Sequence, residues 1–322
     1  MKIQVLSVVT LLTSFSFHLF GMITTGQQSA AAHNNGQKVE LDLSSLTHQA
    51  QDGDAQAQYK LGKSYMSGTG VTRDYETALT WFTKAAKQGS ADAEFLLGYM
   101  QEHGLGVKKD YGQAFLYYSN AANQGQSTAQ NNLGSMYERG EGVRKNLVEA
   151  AAWYRKAADH SDPVAQCNLA SLYLLGKGTA KNDKQAAVWF KAAAELGYAP
   201  AEENLAWMYY NGTGVTLDYQ QAARWVRMAA ELGYAPAQLD IGYLYEQGKG
   251  VPLDYSAAYM WYKAAADRGE KAAEAQLKKL SGLLTRAQVK QANEAAAKLT
   301  GRLPESDLGS EAAAVGGLFP RH

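Results

Sequence analysis

Residues 211–219 read NGTGVTLDY, and QQAARW follows at 220–225. Two glycines around a small hydroxyl residue, just ahead of a helical pattern, resemble a turn that cradles phosphate. A phosphate loop follows a strand and carries a Lys-Ser/Thr pair or a third glycine, and neither is present here. Recurrence decides the reading. Glycine pairs stand also at 68/70, 104/106, 140/142, 176/178 and 248/250, always 36 residues apart. Six copies without insertion or deletion mark a repeat array, with a period in the range of helical solenoids. The glycine turn is a connection between two helices.

Other positions keep the same register. Leu61, Leu97, Leu133, Leu169, Leu205 and Ile241 form one column, and Gly62, Gly98, Gly134, Ala170, Ala206 and Gly242 the next. Asp74, Asp110, Asn146, Asn182, Asp218 and Asp254 form a third; Trp81, Tyr117, Trp153, Trp189, Trp225 and Trp261 form a fourth. In the first copy Ala57, Leu61 and Tyr65 fall at i, i+4 and i+8, one apolar helical stripe. Gly68 ends that helix as a residue free to turn left-handed, and Asp74 caps a second helix through its side chain. Ala78, Trp81, Ala85 and Ala86 are the expected buried face of that second helix, with the loop valines (Val71, Val107, Val143, Val215, Val251) plugging back into the core. Thr179 in place of valine and Ser161 in place of a helix-ending glycine predict looser packing around the fourth copy.

These columns resemble the Sel-one-like repeat (SLR) family, relatives of the tetratricopeptide repeats, over residues 54–269. The resemblance implies an all-α fold, a right-handed α-solenoid of six helix–loop–helix repeats that serves as a protein-binding scaffold, often in exported bacterial proteins. Gln49-Ala50-Gln51-Asp52-Gly53 matches the end of a second helix, so residues 33–53 are expected to hold a linker and a lone N-terminal capping helix from about Val39. Residues 270–299 should supply C-terminal capping helices, the last one opened by Thr285 and Gln288 at capping-box spacing. Terminal repeats need a polar outer face, and these Lys- and Gln-rich segments provide it. Residues 300–322 are expected to be a disordered tail.

Ahead of the array, Lys2 precedes an uncharged stretch from Ile3 to Phe20, and small residues at 29–32 follow. This pattern predicts a signal peptide over residues 1–32 and export to the periplasm or beyond the cell; an uncleaved membrane anchor is the alternative. No second apolar run follows, so no integral membrane segment is expected in the processed chain. Cys167 is the one cysteine, which excludes an internal disulfide framework, a lipoprotein anchor, and the family's cysteine-paired branch. Lys+Arg and Asp+Glu both number 31, a balance that gives no reason to expect a nucleic-acid partner. The histidines stand singly, and no hydrolase nucleophile motif is present. The expectation is a non-enzymatic chain with no metal and no cofactor. The sequon at Asn211 is explained by its turn.

A partner site is expected opposite the core stripe of each first helix. In tetratricopeptide-like superhelices the corresponding face lines the concave groove, here the positions of Gln56, Tyr59, Lys63 and Met66 and their equivalents. The groove residues so predicted are Tyr59, Phe95, Tyr99, Glu102, Glu138, Glu203, Trp207, Tyr210, Tyr243 and Glu246. Aromatics of this kind are preferred anchors at protein interfaces. Five acids (Asp92, Glu102, Glu138, Glu203, Glu246) against Lys63 point to an extended or helical, basic protein segment; cell-wall glycan stacked on the aromatics is the alternative ligand.

Overall fold

The computed structural model describes residues 43–300, so the signal segment, Val39 and the tail beyond Thr300 lie outside the described residues. A lone helix, α1 (Leu43–Gln51), precedes six antiparallel pairs. They are α2 (Ala55–Ser67) with α3 (Tyr75–Ala86), α4 (Ala91–His103) with α5 (Tyr111–Asn123), and α6 (Ser127–Arg139) with α7 (Leu147–Asp159). Then come α8 (Pro163–Leu175) with α9 (Asp183–Glu195), α10 (Ala199–Asn211) with α11 (Tyr219–Glu231), and α12 (Ala235–Gln247) with α13 (Tyr255–Asp267). Two closing helices, α14 (Lys271–Ser281) and α15 (Arg286–Thr300), complete the order. Each helix from α1 to α13 packs on the next in sequence and α15 folds back onto α13, so the described residues form an all-α solenoid with no strand.

The caps are those the sequence specifies. Asp74, Asp110, Asn146, Asn182, Asp218 and Asp254 each accept a hydrogen bond from the first-turn amides of the second helix of their pair. Each first helix stops at a left-handed glycine, as Gly68 does at φ 78°. At α15 the Thr285 amide donates to Gln288 Oε1 while the Gln288 amide donates to Thr285 Oγ1 at 3.3 Å, the reciprocal capping box. Ser161 takes φ 61°, the one positive-φ residue other than glycine among those described. The turn before the fourth repeat thus keeps the shape of the others and carries the strain of a side chain there.

The second glycine of each loop has a different cause. A Cβ at Gly142 would lie 2.1 Å from the Tyr111 carbonyl oxygen, and one at Gly250 1.9 Å from that of Tyr219. The loop of each repeat therefore rests directly on the start of the second helix of the repeat before it. At Gly70, the first in the series, nothing lies within 4 Å.

Inside four of the six pairs, a glycine of the first helix meets a large side chain of the second. A Cβ at Gly98 would fall 2.7 Å from the Tyr118 ring, and Gly62, Gly134 and Gly242 stand likewise against Phe82, Tyr154 and Tyr262. Those side chains are fully buried, as are Phe190 and Val226 in the other two pairs. This corrects the expected core column. The aromatics one position earlier, Trp81, Tyr117, Trp153 and Trp189, are only half-buried, and Trp225 and Trp261 are buried. The reason is angular: Ala78, Phe82 and Ala85 share the stripe aimed at the first helix, and Trp81, 100° around the helix, packs back onto Leu46, Ala50, Ala57 and Leu61. The tryptophans seal repeat to repeat. Of the loop valines only Val251 is buried, the rest being half-buried.

Successive repeats are also clamped by glutamine. Nε2 of Gln58, Gln130, Gln166 and Gln238 donates to the carbonyl eight residues earlier, that of Ala50, Ala122, Ala158 and Ala230, at 3.0–3.2 Å. These carbonyls lie in the last turn of the preceding helix, where intrahelical donors run out.

Candidate protein interface

The four positions proposed to line the groove fare differently: the column of Gln56 is exposed at Gln56 and Asp92 but closes at Val164 and Pro200, which are buried. The column of Tyr59 does not stay open. Tyr59 is half-buried and Phe95 buried, while Cys167, Glu203 and Leu239 are each 0 % exposed. This column faces the first helix of the next repeat: Asn168 Nδ2 donates to Asn131 Oδ1 at 3.0 Å, and Cys167 is hydrogen-bonded by Asn204. Burial pushes the Cys167 thiol far up.

The column of Met66 turns toward its own second helix. Tyr118 donates to Glu102 at 2.7 Å, Tyr154 to Glu138 at 2.8 Å and Tyr262 to Glu246 at 2.7 Å. Hydrogen bonds from a hydroxyl to a carboxylate are stronger than neutral ones, and they let a phenol be buried without an orphaned donor. Burial, then the Glu102 charge, raises the Tyr118 phenol well above its ordinary value. Where the second helix carries Phe82, Phe190 or Val226, with no hydroxyl, the first carries Met66, Leu174 or Tyr210 instead of glutamate. Two of these carboxylates are also paired with cations. Arg139 reaches Glu102 at 3.3 Å and Glu141 at 2.6 Å, and Lys279 of α14 pairs with Glu246. The structure therefore shows no free acidic rim. Glu102, Glu203 and Glu246 are buried, Glu138 is half-buried and bonded, and Asp92 is exposed.

The column of Lys63 is the one that remains at an accessible face along the array. Lys63, Tyr99, Ser135, Ser171, Trp207 and Tyr243 are all half-buried. At one end, Tyr99 stacks on His103 with ring centroids 4.0 Å apart, and burial together with the Glu102 charge pushes its phenol up to about 12. At the other, Tyr243 is hydrogen-bonded with Tyr210, whose hydroxyl also accepts from Lys249 Nζ at 2.6 Å. Lys249 lies 4.7 Å from the Tyr210 ring centre and 5.2 Å from that of Tyr219, so a cation already covers this aromatic pair. Trp207, Tyr210 and Tyr243 all pack against the core of the last three repeats. They are half-sunk, not fully presented to solvent as the helical-wheel reading expects. A depression of about 710 Å³ lies elsewhere, on the loop edge beside Tyr65, Arg73, Tyr75 and Gly106.

The Sel1 repeat family matches six consecutive segments, residues 55–90, 91–126, 127–162, 163–198, 199–234 and 235–270. The chain belongs to the Sel1 repeat family. Its fold is similar to that of a protective antigen present in uropathogenic Escherichia coli strains, described as displaying an SLR fold, with 33% identity, a TM-score of 0.73 and 81% of this chain covered. The match spans 56% of the E. coli chain. A Sel1 repeat protein from Oxalobacter formigenes is similar over 76% of this chain and 96% of its own, at 34% identity and a TM-score of 0.65. No curated protein matches the chain. Sel1 repeat proteins are in general protein-interaction scaffolds. No described helix is long and apolar enough to cross a membrane.

Proposed function

We propose that this Sel1 repeat protein is an exported, non-enzymatic scaffold that binds a segment of another protein along the Lys63–Tyr99–Ser135–Ser171–Trp207–Tyr243 stripe. One observation carries this reading. The column keeps partial exposure in all six repeats and takes four residue types across them, while the leucine column beside it holds one type in five repeats and isoleucine in the sixth. A face that varies on a constant frame is where a solenoid places recognition. Two serines flanked by aromatics suit an extended segment whose apolar side chains reach Tyr99 at one end and Trp207 at the other. Since Glu102 and Glu246 are engaged within the fold, the segment has no need to be basic. The apolar run at 3–20 supports export, and the E. coli relative's description as a protective antigen fits a protein met outside the cell.

The test is capture from envelope extract on the immobilised chain, followed by affinity measurement with the captured partner. Trp207→Ala and Ser171→Arg should each weaken binding tenfold or more, with melting temperature changed by only a few degrees. Unchanged affinity in both variants would remove the stripe as the site. Recovery of the protein with Met1 intact and in the membrane fraction would refute export by cleavage.

A further inference from the structure

The glutamine clamp between repeats has two exceptions, Glu94 and Glu202. Glu94 is half-buried and compensated, because Asn120 and Gln124 both donate to its carboxylate. Glu202 is 1 % exposed, and its Oε2 has no hydrogen-bond partner. Gln124 has its counterpart 108 residues on at Leu232, which offers no donor. By the same register the carbonyl awaiting Glu202 is that of Ala194, eight residues earlier, the place filled at Ala158 by Gln166 and at Ala230 by Gln238.

An ionised carboxylate only accepts, so against a carbonyl oxygen it would set two acceptors face to face in a dry site. A protonated one donates, as the glutamine amide does. We propose that the junction between the fourth and fifth repeats is a pH-sensitive hinge, closed while the Glu202 carboxyl donates its proton to the Ala194 carbonyl and loosened when that proton leaves.

The surroundings agree. Burial pushes the Glu202 carboxyl up to about 7, and burial is its one cause. The charged groups on the helices packed against α10 are Asp183, Lys184, Lys191 and Glu195 on α9 and Arg224, Arg227 and Glu231 on α11, with Asp240 and Glu246 on α12 beyond. Glu195 pairs with Lys191 at 3.7 Å, Glu246 with Lys279, and Glu231 is exposed. None contributes to the shift, and neither does Glu203 beside it. The sign follows from proton linkage. Between the ordinary glutamate value of about 4.3 and about 7, the closed junction holds a proton that an opened one releases. Closure is fully supported below this window, weakens as pH rises through it, and levels off above. The hinge falls between Ser171 and Trp207, so it sets the spacing of the two halves of the Lys63–Tyr243 stripe, whatever binds there.

Hydrogen–deuterium exchange of the full chain between pH 5 and 8, corrected for intrinsic exchange, reads the opening directly. The segment 196–203 should open about tenfold more per pH unit up to about pH 7 and then level off. The segment 232–239, closed by Gln238, should stay flat. Glu202→Gln should abolish the rise. Leu232→Gln, which offers Glu202 the donor that Glu94 has, should end the rise at lower pH and shrink its total. A wild-type segment 196–203 that behaves as 232–239 does, a rise that survives Glu202→Gln, or a rise unaltered by Leu232→Gln would each overturn the hinge.

Discussion

Gly142→Ala tests how one repeat rests on the last. The residue has φ +68°, which L side chains adopt at a cost of roughly 1–2 kcal/mol. The added Cβ would stand 2.1 Å from the Tyr111 carbonyl oxygen, 2.6 Å from its carbon and 3.1 Å from the Gly112 nitrogen. All three are backbone atoms, so no rotamer change relieves them. The loop must lift off the preceding repeat, an overpacking cost of roughly 1–3 kcal/mol beyond the φ cost. Two controls carry the φ cost without that collision. Gly140 in the same loop has φ +79° and would meet only its own loop, Lys145 Cβ at 3.1 Å, while Gly70 at φ +76° meets nothing within 4 Å. At about 2–4 °C per kcal/mol for an array of this size, Gly142→Ala should melt roughly 2–12 °C below Gly140→Ala. Circular dichroism at the helical band, on the full chain, gives both midpoints. Melting of Gly142→Ala within a degree of Gly140→Ala would refute the claim that the second glycine is an inter-repeat contact.

Tyr118→Phe should cost roughly 1–3 kcal/mol by taking the hydroxyl donor from the buried Glu102 Oε2, while Arg139 still holds Oε1. Adding Glu102→Met, the pairing of the first repeat, should recover part of that in a urea double-mutant cycle; an additive cycle would show that the hydroxyl and carboxylate are not coupled. Tyr154→Ala should cost roughly 3–5 kcal/mol and Trp153→Ala less, since Tyr154 is 1 % exposed and Trp153 only half-buried; the reverse order in urea melts would restore the tryptophan column as the core. Cys167, buried and with its thiol pushed up, should resist a thiol reagent in the native chain and react on unfolding. Rapid labelling without denaturant would contradict its burial between α8 and α10.

The repeat number, the helix pairs and their boundaries were legible in the residues alone. They depend on local rules, an Asp or Asn capping each second helix and a left-handed glycine stopping each first helix, and these act within one turn of chain whatever the rest does. The alternation of Tyr118, Tyr154 and Tyr262 with Glu102, Glu138 and Glu246 was legible too, as a covariation sixteen residues apart. It was missed because an acid on a helix face reads first as a solvated charge.

What each face of a helix meets belonged to the tertiary structure. A helical wheel places Trp153 and Tyr154 100° apart but does not say which of them turns to the partner helix and which to the neighbouring repeat. Nor does it show that adjacent first helices close over Cys167, Glu203 and Leu239, because that depends on how tightly one repeat stacks on the next. The stacking is set by contacts 36 residues apart, a loop glycine on a helix start and a glutamine on a carbonyl. Glu202 is one letter in a column of glutamines, and it became chemically distinct only when the packing of α9, α10 and α11 removed the water around it.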